Sequence, residues 1–180
     1  MLQFIYKYAY ICIIFFTHMY KRTLFYTILP QLEHKNALVI TGMRQVGKST
    51  LMRQLAEAWN GRQAWFDFDN PLDQLLFENV SYHSIYEDLR REAGAERDER
   101  FLVCIDEIQN FPGVTKIIKY LIDHHKVKFI VTGSSNYYLR NLFPESLSGR
   151  KFLYVLRTLS FREYLHFNDR LPESGLQPDP

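Results

Sequence analysis

Short apolar runs alternate along the chain with stretches whose apolar positions recur every three or four residues. ALVIT (37–41) and FLVCI (101–105) are continuous apolar runs, the pattern of strands buried on both faces of a parallel sheet. QAWFDFD (63–69) alternates, Lys128 to Thr132 forms a fourth strand, and KFLYVL (151–156) a fifth. Between them, STLMRQLAEAW has Leu51, Met52, Leu55, Ala56 and Trp59 on one helical face and ends at Asn60-Gly61. Ser81 to Glu92 reads as helix, as does the segment carrying Val114, Ile117, Ile118, Leu121 and Ile122, with Pro112 in its first turn. KRTLFYTILPQLE (21–33) suits a short helix interrupted at Pro30, and Tyr137 to Phe143 another. Ser160-Phe161-Arg162-Glu163 has the form of a capping box and opens a last helix. Strand and helix alternate throughout, which predicts an α/β fold with a mostly parallel sheet.

Composition changes this picture little. At 180 residues the chain supports one domain with a real core. A net charge of +2 is too small to imply a nucleic-acid or membrane partner by field alone, and it does not exclude nucleic acid. The two cysteines, Cys12 and Cys104, are far apart, which fits a reducing compartment and predicts a cytoplasmic location. Residues 1–18 differ in character: they are crowded with aromatic and β-branched residues, with Lys7 in their midst. The apolar stretch from Ala9 to Phe16 is shorter than the roughly 18 to 20 residues that span a bilayer. It also lacks the basic leader and cleavage site of a signal peptide. A membrane anchor is therefore set aside, and the segment is expected to lie outside the fold, with Met19 as the true start.

The chemistry concentrates after the first strand. Gly42-Met43-Arg44-Gln45-Val46-Gly47-Lys48-Ser49 satisfies the phosphate-loop pattern G-x-x-x-x-G-K-[ST], followed by Thr50. Glycine at both ends lets backbone amides turn toward a phosphate chain, and the following helix contributes its positive end. Lys48 would reach the β and γ phosphates and Ser49 would be a magnesium ligand. Asp106, at the carboxyl end of the FLVCI strand, is placed to serve Mg²⁺, and Glu107 to polarise an attacking water. Ser134 and Ser135, ending FIVTGSSN, would reach the γ-phosphate or the water, or cap the helix expected to follow. Arg150 and Arg44 are cations that either meet phosphate or face solvent. The six histidines show no metal-ligand spacing, with His124-His125 at a helix end. No N-K-x-D stretch follows a later strand, which disfavours a guanine site and favours ATP.

Together GMRQVGKST, FLVCIDE, FIVTGSSN and SLSGRKFLYVLRTLSFREYL resemble the AAA-type P-loop ATPases of bacteria and archaea that join an ATPase domain to a C-terminal domain of unknown function. The resemblance covers about Tyr20 to Phe167. It implies a three-layer P-loop NTPase fold with a five-stranded parallel sheet in the order 5-1-4-3-2, and an ATPase domain over residues 19–168 followed by a frayed tail, 169–180. It also implies that Lys48 and Ser49 bind ATP and Mg²⁺, that Asp106 and Glu107 serve metal and water, and that Ser134 or Ser135 stands at a sensor position. Arg150 stands near a γ-phosphate-sensing or finger arginine, supplied in some relatives by a neighbouring subunit. Met43 stands where many relatives have proline and Ser49 where threonine is common; both keep the chemistry. The C-terminal half of the family is missing, so the chain is expected to be a truncated member. Three functions remain open at this point: Mg-dependent ATP hydrolysis, alone or in a homo-oligomer; a nucleotide switch read by a protein partner; and a small-molecule phosphotransferase, disfavoured because no arginine-rich lid stands out.

Overall fold

The computed structural model describes residues 20–134 and 147–177. The apolar stretch 1–18, the expected start at Met19, Ser135 and the helix expected from Tyr137 to Phe143 lie outside the described residues. Five strands, β1 (Ala37–Thr41), β2 (Gln63–Asp67), β3 (Phe101–Asp106), β4 (Val127–Gly133) and β5 (Lys151–Val155), form one sheet in the order β2-β3-β4-β1-β5. Every pairing in it is parallel, so the expected strand order holds. The connecting helices are α1 (Thr23–Ile28), α2 (Lys48–Glu57), α3 (Pro71–Leu75), α4 (Tyr82–Ala93), α5 (Val114–His124) and α6 (Phe161–Phe167).

The continuous apolar runs follow from burial on both faces. Leu38 and Ile40 of β1, Leu102 and Cys104 of β3 and Ile130 of β4 pack with α1 and α2 on one side. Val39, Val103, Ile105, Phe129 and Val131 pack with α4 and α5 on the other. The outer strand β2 buries only alternate residues, which is why its sequence alternates. Burial pushes the Cys104 thiol up, so it remains a small protonated core residue.

Local signals set the helix ends. Ser81 caps α4 by accepting from the Ser84 amide at 3.3 Å, and α4 closes on Gly94 in the left-handed region. Pro30 falls in a 3-10 turn, Leu29–Leu32, that directly extends α1. Pro112 stands ahead of α5 rather than in its first turn, because the chain is still in the turn closed by Phe111 when it reaches the N-cap, Gly113. Around Ser160 both arms of the capping box form.

Of the expected tail, the described residues 169–177 make several contacts with the rest of the fold. Leu176 is buried, Lys21 pairs with Glu173 at 3.2 Å, and the Tyr26 hydroxyl donates to the same carboxylate. The segment through residue 177 docks on the amino-terminal segment because an apolar anchor and an acidic partner fall together, a coincidence of tertiary position that turn composition does not reveal.

At the opposite end of β4 from its glycine, Lys128 is fully buried. Its three ammonium protons meet the carbonyls of Gln31 (2.8 Å), His34 (2.7 Å) and Asn36 (2.7 Å). Burial, with a smaller contribution from Arg100 and partly offset by Glu33, pushes this ammonium down to about 7. The lysine staples the turn before β1 to the sheet. Lys128→Met would relieve a buried charge but strand three carbonyls, each costing about 1–3 kcal/mol when unpartnered. Denaturant unfolding is expected to show a net loss of about 2–3 kcal/mol.

Candidate nucleotide and catalytic site

Parallel pairing brings the carboxyl ends of β1, β3 and β4 to one edge, with Thr41 opposite Gly133 and Ile105 opposite Val131. Ligands of open α/β sheets bind at this edge. The loop from Gly42 to Gly47 leaves β1 here and runs into α2, whose N-cap is Gly47.

Two positions explain why the loop needs its glycines. A Cβ on Gly42 would lie 2.2 Å from the Leu156 carbonyl oxygen, because the chain leaving β5 donates its Leu156 amide to the Thr41 carbonyl at 2.7 Å and hugs the loop. Gly47 has φ of 95°, where an L side chain is strained. Gln45, at φ 63°, bears the same left-handed conformation with a side chain. Gly42→Ala is therefore expected to displace either the loop or the β5 exit and to weaken nucleotide binding at least about tenfold, read by equilibrium titration.

Lys48 is buried, and its Nζ donates to the Met43 carbonyl at 2.9 Å, folding the side chain back over its own loop. Met43, Arg44, Gln45 and Thr50 are exposed, while Val46, Gly47 and Ser49 are half-buried. Ser49 and Asp106 line one cleft of about 230 Å³, which also takes in Arg53, Asp67 and Asp73. Asp106 is oriented from two sides: Thr132 Oγ1 and the Glu107 amide both donate to its Oδ1, the latter at 3.0 Å. Carboxylate and hydroxyl oxygens are the donors a hard cation takes, while among the described residues no group of three or more His, Cys, Asp or Glu side chains gathers as a metal cluster.

Glu107 follows at φ 49°, a conformation costing a non-glycine residue about 1–2 kcal/mol. That strain swings its side chain toward β4. Ser134 Oγ lies 2.8 Å from both carboxylate oxygens, Gln109 Nε2 donates to Oε2, and Gln109 Oε1 accepts from the Ser134 amide at 3.3 Å. Ser134 therefore meets the glutamate directly, a partner that sequence reasoning does not name. Gln109 and Thr132 also escape it, as does Asp67, which pairs in register with Asp106. The strand order supplies the signal: once β2 and β4 flank β3, the polar residues at their carboxyl ends become neighbours of the Asp-Glu pair.

Arg150 is not brought to this edge. It sits before β5 at the amino end of the sheet, where its carbonyl accepts from the Ala37 amide at 2.9 Å and its Nε donates to Asp123 at 2.6 Å. That pair holds the Asp123 carboxyl below its ordinary value through the hydrogen bond and charge of Arg150, against a smaller effect of burial.

Beside the loop lies a larger cavity of about 730 Å³, walled by Tyr20, Val46, Leu51, Leu159 and Phe167 and bordered by Arg22. Tyr20 stacks on Phe167 with ring centroids 5.2 Å apart. Sequence reasoning does not find this cavity, since its walls come from the segment before α1, the phosphate loop, α2 and the segment from Thr158 to Phe167.

Comparison with known proteins agrees with this architecture. A family model described as an AAA domain matches residues 34–165. An uncharacterised protein of Haemophilus influenzae is 32% identical over 133 residues, covering 71% of this chain and 32% of that protein. Uncharacterised proteins of Mycobacterium bovis and Mycobacterium tuberculosis are each 28% identical over 134 residues, covering 73% of this chain and 27% of theirs. The chain thus spans about a third of the length of these relatives. Among solved structures, a Walker-type ATPase of Pyrococcus abyssi shares the fold with a TM-score of 0.60 at 17% identity, over 88% of this chain and 62% of that one. With the family match covering most of the sheet and the phosphate loop at its carboxyl edge, the chain belongs to the AAA domain family of P-loop ATPases.

Proposed function

We propose that this chain binds ATP with Mg²⁺ and hydrolyses it. The observation that carries the reading is the meeting at one sheet edge of the glycine-flanked loop, the Ser49–Asp106 cleft and the Glu107–Ser134 pair. A loop that enters a helix through Gly47 supplies amides and a helix dipole to a phosphate chain. Lys48 would exchange its Met43 contact for the β and γ phosphates. The aromatic-walled cavity beside Val46 has the size and apolar lining of a small-molecule site and would take the nucleoside. Ser49 and Asp106 would hold Mg²⁺, which would supply positive charge to offset that of the phosphates. Asp106 is already oriented for this by Thr132 and by the Glu107 amide. Glu107 would accept hydrogen bonding from the attacking water and orient it toward the γ-phosphate, with Ser134 holding the carboxylate in place. In this chain's own site Arg150 would take no part; a finger role for it belongs to a neighbouring copy in a homo-oligomer.

One observation favours a second reading, a nucleotide-binding switch with little turnover. Glu107 is engaged by Ser134 and Gln109 together, so part of its accepting capacity is already taken before a water arrives. A protein partner that reads the loop would then receive the signal without rapid hydrolysis. Measuring ATP affinity and phosphate release on the full chain, with and without Mg²⁺, separates the two. Magnesium-dependent release supports the enzyme; tight binding with release at background supports the switch; no binding removes both.

A further inference from the structure

Behind the phosphate loop, Arg22 and Glu163 form an ion pair whose side chains are 10% and 6% exposed, far less than in the other ion pairs among the described residues. Burying two charges is costly unless their remaining hydrogen-bonding capacity is met, and here every nitrogen of the guanidinium and both carboxylate oxygens have partners. Arg22 Nε donates to Glu163 Oε1 at 2.9 Å and Nη2 to Oε2 at 3.2 Å. The Thr23 amide adds a bond to Oε1 at 3.0 Å and the Ser160 amide one to Oε2 at 2.8 Å. Burial works to raise the Glu163 carboxyl, but the Arg22 bond and the two amides outweigh it and hold it at about 2. Glu163 is thus ionised across the ordinary pH range.

The other arms of the guanidinium leave the pair. Nη2 donates to the Arg157 carbonyl at 2.8 Å, in the linker between β5 and α6, and Nη1 donates to the Val46 carbonyl at 3.0 Å. Val46 stands between Gln45 and Gly47, both in left-handed backbone, at the crest of the phosphate loop. A loop that turns its amides toward an anion turns carbonyls outward, and an outward carbonyl held by a fixed donor holds the turn with it.

We propose that Arg22 is a positioning residue for the phosphate loop: anchored by Glu163, its guanidinium fixes the Val46 carbonyl and so holds the loop in its phosphate-ready turn. Its effect on nucleotide binding rests on the reading given under Proposed function, whereas its effect on loop order does not. Lysine has the charge but not the planar fork that reaches Glu163, Arg157 and Val46 at once. If the pair only docked α6 on the core, losing it would lower stability without changing the loop.

The test uses the full chain with Arg22→Lys and Glu163→Gln, and Lys128→Met as a destabilised comparison at the far end of the sheet. Two quantities are read well below each melting temperature: amide hydrogen exchange over residues 42–50 without nucleotide, and affinity for a fluorescent ATP analogue. Arg22→Lys is expected to speed loop exchange at least about fivefold and weaken the analogue about tenfold. Glu163→Gln, which leaves the arginine in place but loosens its anchor, should fall between, and Lys128→Met should match the wild type in both. Wild-type exchange and affinity in the two folded variants would overturn the proposal; should Arg22→Lys not fold, Glu163→Gln decides alone. If the wild-type chain binds no analogue, the nucleotide reading fails while the exchange measurement still decides the role of Arg22.

Discussion

Lys48→Ala is expected to weaken ATP binding by at least about 100-fold and to take phosphate release to background. Lys48 is the buried cation at the start of α2, directly after the loop. Its ammonium would meet phosphate oxygens in charge-assisted hydrogen bonds, each worth about 1.5–3 kcal/mol. Stability should move much less, because within the protein the substitution removes one hydrogen bond to the Met43 carbonyl, at a loop water can reach once the side chain is gone. Titration with a fluorescent ATP analogue alongside thermal melting separates the effects. Affinity within threefold of wild type in a folded variant would remove the phosphate role from Lys48.

The second large effect is on rate. Glu107→Gln is expected to slow phosphate release by about 10² to 10⁴, or roughly 3 to 5 kcal/mol of barrier, while ATP affinity stays within about threefold. The amide keeps the size of the carboxylate and can still accept from Ser134, so the turn at β3 and the neighbouring Asp106 should be undisturbed. What it loses is the negative charge that would polarise water. Single-turnover hydrolysis with saturating ATP and Mg²⁺ is the appropriate measurement, since it is insensitive to product release. A glutamine variant that turns over at the wild-type rate would leave the hydrolytic assignment without its base and move the chain toward the switch reading.

Both effects concern residues that a linear motif marks, and the second depends also on how another strand packs beside them. Asp106 and Glu107 are adjacent in the chain, yet Thr132 orients the first and Ser134 the second, both from the carboxyl end of β4. Arg150 shows the converse. Its place just before a strand, near the family's finger position, is suggestive in the sequence, but a strand has two ends, and Arg150 precedes β5 at the amino end, opposite the loop. Lys128 stands in the sequence as one cation near the start of a strand; in the fold it is a buried staple, because the turn before β1 presents three carbonyls to it.

From the sequence alone came much of what short-range physics dictates: the apolar runs of a sheet covered on both faces, the helix after the glycine loop, and the capping box at Ser160. These are written in residues a few positions apart, where backbone sterics and side-chain spacing act directly. Tertiary structure decided which carbonyls meet Arg22 and Lys128, which end of the sheet receives Arg150, and which aromatics wall the cavity beside Val46. Contacts of this kind join residues as much as 152 positions apart, as Lys21 and Glu173 are. Only the order and direction of the packed strands determine which distant side chains arrive together.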